Sequence, residues 1–330
     1  MGAILDVVNP GGRDPNQTFP DGAGLPDDPG HAPINYHAYA ACCRGGFYRR
    51  DGDLPADASA VLILLRKNGL AAALESIKKV RQRGQKALIS WKESGLHQVA
   101  AALGDARRYA KFREICAASD GFISSTPELV PLYRAAGCAV GEFIPTPYPV
   151  DTPSWNLSMP VGERQGIFIG TREFDVPSRN HLLAVATACS LSSTVTVLNV
   201  NGRVGEKLLR AINPAINIIS RRLPYREYLR LIARHRLVFQ LDSSSVPGQV
   251  AGDALLARTL CIGGNGAVDR IAFSADIGDT SAEAAEMASW LLSDDSLYQK
   301  HLTMSQEVAM RELSFRAVEI RLRSFCQAFA

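Results

Sequence analysis

The segment Ser245-Val-Pro-Gly248-Gln249-Val-Ala-Gly-Asp253-Ala-Leu-Leu-Ala-Arg-Thr-Leu-Cys-Ile-Gly263-Gly264-Asn-Gly266 gathers residue types suited to holding an anion. Its pattern predicts a small-residue turn, a short helix, a buried strand and a second glycine turn. Unpaired N–H groups at a helix start, together with the helix dipole, attract negative charge. Glycines beside them let the backbone approach a ligand closely. Asp253 is expected in the first turn of the helix, among Val250, Ala251, Ala254, Leu255 and Leu256. A carboxylate in such company is either a ligand group or an acid interacting with the helix dipole. Ser245 is either a ligand group or an ordinary turn serine, and Gly248 either a ligand-facing or a plain loop glycine. Gly263, Gly264 and Gly266 follow the strand and make either an anion-facing turn or an ordinary strand-to-helix turn.

Other chemistries find less support. The seven cysteines include no C-x-x-C pair, and most lie in apolar patterns, which predicts reduced core thiols. The six histidines show no metal-ligand spacing, so no metal site is expected. A net charge of +3 with scattered arginines argues against nucleic acid as a partner. No apolar run approaches the roughly 18 residues needed to span a bilayer. The first ten residues suggest a β-strand rather than a signal peptide, so a cytoplasmic protein is expected. A homo-oligomer remains open.

The elements that must position these residues follow from the apolar pattern. Strand-like runs fall at 3–8, 60–65, 87–91, 121–124 and 141–144, with helical patterns at 33–43, 69–83, 94–103, 106–118 and 126–136. Buried strands alternating with amphipathic helices predict a parallel sheet covered on both faces. Residues 9–32 break the rhythm with Gly, Pro and Asp and suggest a substrate-facing loop. A Pro-rich stretch at 145–163 predicts an interdomain linker. The rhythm then restarts, with strands at 166–169, 194–198, 216–219, 237–241, 260–262 and 276–278. Helices follow at 178–190, 203–211, 225–234, 249–257, 281–293, 295–310 and 313–328. The fold class predicted is α/β, two tandem Rossmann-like, doubly wound domains, which bind ligands at the carboxyl ends of their strands.

Several segments of the second half carry a resemblance in the right order. They are Gly166-Ile-Phe-Ile-Gly170-Thr-Arg172, Ser178-Arg179-Asn-His, Leu223-Pro224-Tyr-Arg-Glu-Tyr, Leu237-Val-Phe-Gln-Leu-Asp-Ser-Ser-Ser, and Leu313-Ser-Phe-Arg-Ala-Val-Glu-Ile-Arg-Leu. Together they resemble the C-terminal domain of a GT-B glycosyltransferase, and within that fold glycosyltransferase family four. In that family two glutamates stand eight positions apart, with a glycine three after the first. Here those positions hold Ser245, Asp253 and Gly248. The resemblance implies a domain at 1–150 on the acceptor side, a donor domain at 151–312, and a helix at 313–330 crossing back to the first domain.

It also implies a nucleoside diphosphate sugar as donor, no required cofactor, and transfer to an unidentified acceptor, with retention of configuration as the family's outcome. Asp253 would hold the ribose and Ser245 would take the donor-sugar contact. Gly170, Leu223, Gln249, Gly263, Gly264 and Gly266 would line the donor, and Arg172 and Arg179 would neutralise its phosphates, since guanidinium suits bidentate phosphate recognition. In the first domain, Gly11 and Gly12 would approach the donor phosphate, and Glu93 would steer or deprotonate an acceptor hydroxyl. Each has a bland alternative: surface arginines, loop glycines and a helix N-terminal acid. His31 and His37 are either acceptor contacts or, as expected, structural or surface histidines. Two rival functions stand beside transfer: a non-catalytic GT-B-like protein with a degenerate donor motif, for which Ser245 speaks, and another nucleotide-sugar enzyme such as an epimerase.

Overall fold

A computed structural model describes residues 3–10, 34–55, 58–92, 94–273 and 280–328. The chain divides into two compact units, Met1–Thr152 with Leu313–Ala330, and Pro153–Glu312. Gly11, Gly12, His31, Glu93 and the strand expected at 276–278 lie outside the described residues.

The first unit runs β1 (Leu5–Val8), α1 (Asn35–Cys42), β2 (Phe47–Tyr48), β3 (Ala60–Leu65), α2 (Leu70–Gln82), β4 (Lys86–Trp91), α3 (Leu96–Ala102), α4 (Ala106–Ala118), β5 (Gly121–Ser124), α5 (Val130–Ala135) and β6 (Gly141–Phe143). Its strands form one sheet in the order β2-β1-β3-β4-β5-β6, with every pairing parallel. The two-residue β2 is too short to show alternation, so it has no signature in the sequence. Strand β3 explains the sandwich. Val61, Ile63 and Leu65 pack on one face with Ile77 and Val80 of α2 and Phe112 of α4. Leu62 and Leu64 pack on the other with Tyr39 of α1. Side chains alternate across a strand, so an unbroken apolar run is what burial on both faces requires.

The second unit runs β7 (Ile167–Ile169), α6 (His181–Leu191), β8 (Val195–Leu198), α7 (Gly202–Ile212), β9 (Asn217–Ile219), α8 (Tyr225–Ala233), β10 (Leu237–Phe239), α9 (Gln249–Leu256), β11 (Leu260–Ile262), α10 (Ala267–Ala272), α11 (Ser281–Ser293) and α12 (Asp295–Glu312). Its sheet order is β11-β10-β7-β8-β9, again wholly parallel. Two departures from the sequence pattern bear on the site. The helix expected from 178 begins at His181, because Asn180 takes a left-handed φ of 48° and separates it from a tight turn at Pro177–Arg179. The six-residue α10 follows the glycine turn unannounced.

The last helix, α13 (Phe315–Gln327), rejoins the first unit. Ser314 caps it by accepting from Ala317 N at 3.1 Å. Phe315, Val318 and Leu322 bury into the α1 face of the first sheet. Burying each such side chain stabilises by roughly 1.5–3 kcal/mol. Tyr148 N donates to Leu313 O at 2.8 Å, and the Arg321 guanidinium donates to Phe143 O at 2.9 Å. All seven cysteines are free. Among the described residues, no helix is long and apolar enough to cross a membrane.

Candidate functional site

In the second unit the chain builds outward from β7 in one direction to β8 and β9, and in the other to β10 and β11. The chain leaving β7 therefore goes on to a strand on one side of the β7–β10 pair, and the chain leaving β10 to a strand on the other. That switch point is where open parallel sheets form a ligand crevice. Gly170 N donates to Phe239 O at 3.0 Å, so residues 170–172 and 240–245 leave the sheet side by side.

The two loops are stitched together. Ser243 N donates to Ser178 O at 2.8 Å, and the Asn180 amide donates to Leu241 O at 2.8 Å. Arg179 forms an ion pair with the buried Asp242, and its Nε lies 3.8 Å from Glu173. The Asp242 carboxylate also accepts from Ser244 N at 2.9 Å. Thus Arg179 already holds a carboxylate that the sequence pattern did not flag. Behind it, His181 shares a 2.9 Å hydrogen bond with Thr171 Oγ1. Burial pushes the imidazole down to about 4, so it is neutral near pH 7.

Arg172 is the other cation at this edge. It is half-buried, with its guanidinium carbon 5.7 Å from the centre of the Tyr228 ring. It also exerts a favourable charge on Asp253. Asp253 is fully buried and is the fifth residue of α9, one turn deeper than expected. The Tyr225 hydroxyl donates to its Oδ1 at 2.5 Å, while Oδ2 has no hydrogen-bond partner among the described residues. Burial raises this carboxyl to about 7, outweighing the Tyr225 hydrogen bond, the Arg172 charge and the weaker pull of Tyr228 and Gln249. The Tyr228 hydroxyl and the Gln249 side chain also act on this carboxyl as donors, so Asp253 is a buried acceptor set among groups that favour its charged form.

The glycines have a neighbour the sequence did not reveal. A Cβ on Gly248, Gly264 or Gly266 would fall within 3.0 Å of the Asp269 carboxylate oxygens. Gly248 also has φ 93°, which disfavours any side chain there. Asp269 is buried, accepts from Gln240 Nε2 at 2.8 Å, and is pushed up to about 6, chiefly by burial. These glycines thus make room for a resident carboxylate. Gly170 packs against Val250 of α9, and Gly263 against the Gln240 carbonyl. Ser245 is left-handed at φ 50°. Its N–H donates to Asn265 Oδ1 at 2.8 Å, joining the two small-residue turns.

The structure brings Gly170, Arg172, Arg179, Ser245, Gly248, Gln249, Gly263, Gly264 and Gly266 to the loops after β7, β10 and β11 or the start of α9, and puts Asp253 in the second turn of that helix. Leu223 lies apart from the strand ends, two residues before α8, whose Tyr225 and Tyr228 flank Asp253. His37 is a core residue of α1 stacked on Phe47, with ring centres 3.7 Å apart. Sequence reading missed Asp242, Asp269, Gln240 and the two tyrosines. Tyr225, Tyr228, Gln240 and Asp242 stood inside the segments that carried the resemblance, and only their partners were hidden. No group of three or more metal-ligating side chains occurs among the described residues.

No protein-family model matches the chain, and no curated protein matches it in sequence. Solved structures do match. The Anabaena Alr3699/HepE structure in complex with UDP and glucose aligns with a TM-score of 0.56 at 12% identity, covering 83% of this chain and 79% of that one. A trehalose-6-phosphate synthase solved in work on glycosyltransfer with retention aligns at 0.57 and 11% identity, covering 82% and 74%. AviGT4, a glycosyltransferase involved in avilamycin A biosynthesis, aligns at 0.54 and 15% identity over 99% of this chain and 98% of its own. The two parallel-sheet units have the two-domain GT-B fold of these glycosyltransferases.

Proposed function

We propose that the protein is a glycosyltransferase that takes a sugar from a nucleoside diphosphate donor held on the second unit and passes it to an acceptor held on the first. The observation that carries this reading is the arrangement at the β7–β10 switch point. Arg172 lies against Tyr228, next to the buried Asp253. In this reading the guanidinium groups of Arg172 and Arg179 and the turn amides stabilise the charge that develops on the departing diphosphate. Preorganised groups of this kind supply much of an enzyme's rate enhancement. Asp253 accepts hydrogen bonds from the nucleoside hydroxyls. We assign the transfer to a metal-independent, retaining mechanism of the family-four type, with Glu93, Gly11 and Gly12 serving the first unit's share of the site. The UDP complex of HepE and the retaining chemistry named for trehalose-6-phosphate synthase support the donor class and the outcome.

A second reading is favoured by a specific observation. Arg179 is already neutralised by Asp242, and Ser245 is tied to Asn265 rather than held free for a sugar. A protein that binds a nucleotide without turnover would show the same features. Incubating the full chain with a panel of nucleoside diphosphate sugars and measuring released diphosphate separates the two. Release that accelerates with an added sugar acceptor is the expected result. Tight binding with no release for any acceptor would favour the second reading.

A further inference from the structure

The first unit carries a cavity that the donor reading does not use. It occupies about 390 Å³ and is walled by Arg66, Lys67 and Asn68 from the turn before α2, Trp91 at the end of β4, and Gln98 of α3. Small-molecule pockets run roughly from 300 to 1,000 Å³. The cavity opens at the carboxyl ends of the neighbouring strands β3 and β4, the edge at which parallel sheets hold ligands.

Its chemistry is one-sided. Arg66 and Lys67 bring two positive charges, and among the described residues that wall it none is acidic. Lys67 is exposed and makes no ion pair with the described residues. The thirteen-residue α2 starts at the same turn, so its first N–H groups and dipole add to the positive field. Asn68 offers both a donor and an acceptor, and Gln98, whose Oε1 accepts from Gly95 N at 3.2 Å, adds its amide N–H donors, which suits hydroxyl groups. An independent observation comes from Trp91. The side chain is 1% exposed, and its indole Nε1–H has no acceptor among the described residues. A buried donor left unmade costs about 1–3 kcal/mol, a cost that a bound acceptor atom removes.

We infer that this cavity binds a hydroxylated small molecule carrying a compact oxyanion, a phosphate or a carboxylate. The oxyanion meets Arg66 and Lys67, and the hydroxyl groups of the ligand meet Asn68 and Gln98. Naming this molecule the acceptor rests on the transferase reading, whereas the anion site itself does not.

The test titrates the full chain with mannose 6-phosphate, glucuronate and neutral mannose by calorimetry. At least one anionic sugar should bind, at least tenfold more tightly than mannose, and its affinity should fall as salt is raised. The phosphate and carboxylate arms decide between the two oxyanions. The double variant R66Q/K67Q should weaken the preferred anion tenfold or more, and Trp91→Phe should weaken it severalfold while keeping the ring. Thermal melts check that each variant is folded. Equal affinity for mannose, failure of both anions to bind the wild type, or anion binding unchanged in folded R66Q/K67Q would overturn the inference. Nucleoside diphosphate binding, measured in parallel, should be unaltered in R66Q/K67Q. Anion binding without diphosphate binding would sink the transferase reading and leave this site standing. The reverse would sink only the anion site.

Discussion

Asp253 concentrates the physics of the site in one carboxyl group. It titrates at about 7 in the folded chain, against roughly 4 when unfolded. Between those values the native state keeps a proton that the unfolded chain has lost, so stability falls as pH rises through this window. Asp253→Asn keeps a carbonyl oxygen for the Tyr225 hydroxyl and removes the charge. The variant should match the wild type near pH 4 and exceed its stability at pH 8 by on the order of 4 kcal/mol, about 1.4 kcal/mol for each of roughly three units. Urea melts across that range measure the difference, and Asp269, common to both proteins, cancels from it. A difference that stays constant with pH would mean that the carboxyl is not held protonated by burial.

At the scale of elements, the glycine turn after β11 and the start of α9 are locked together by Asp269. A Cβ at Gly264 would collide with both Asp269 and Gln240, which are hydrogen-bonded to each other at 2.8 Å. Gly264→Ala should therefore cost about 1–3 kcal/mol, the usual range for overpacking a tight interior. At Gly162 a Cβ meets open space, so Gly162→Ala should change stability little or raise it by under about 1 kcal/mol. Denaturant midpoints of the pair give the comparison. Equal midpoints would show that Asp269 yields easily and that the turn is not rigid.

The same elements show what sequence could and could not reveal. Strands such as β3 and β7 were legible because unbroken apolar runs are a local signal. Gly248 and Gly264 were legible as special positions, but the reason was not, since Asp269 meets them only after the chain folds. The pairing of Arg179 with Asp242 spans 63 residues and left no mark in either segment. Asn180 hid the true start of α6, because a single left-handed residue leaves the apolar periodicity intact. The start of α9 at Gln249 was legible, and counting five residues from it puts Asp253 in the second turn rather than the first.

At the scale of the whole molecule, the α/β rhythm appears twice, and each unit closes around its own parallel sheet with its own switch point. That repetition made the fold class readable where single motifs were weak. The return of α13 to the first unit was expected from resemblance alone, and the buried Phe315, Val318 and Leu322 give its physical cause. The division of labour proposed between the units depends on a nucleoside diphosphate binding at the β7–β10 edge of the second. Calorimetric titration of the full chain with UDP, GDP and ADP tests this most directly, repeated on Arg172→Ala and Asp253→Asn. The account predicts that at least one diphosphate binds the wild type and that each substitution weakens it tenfold or more in a folded protein. Failure of all three to bind, or a Kd unchanged in both variants, would contradict it.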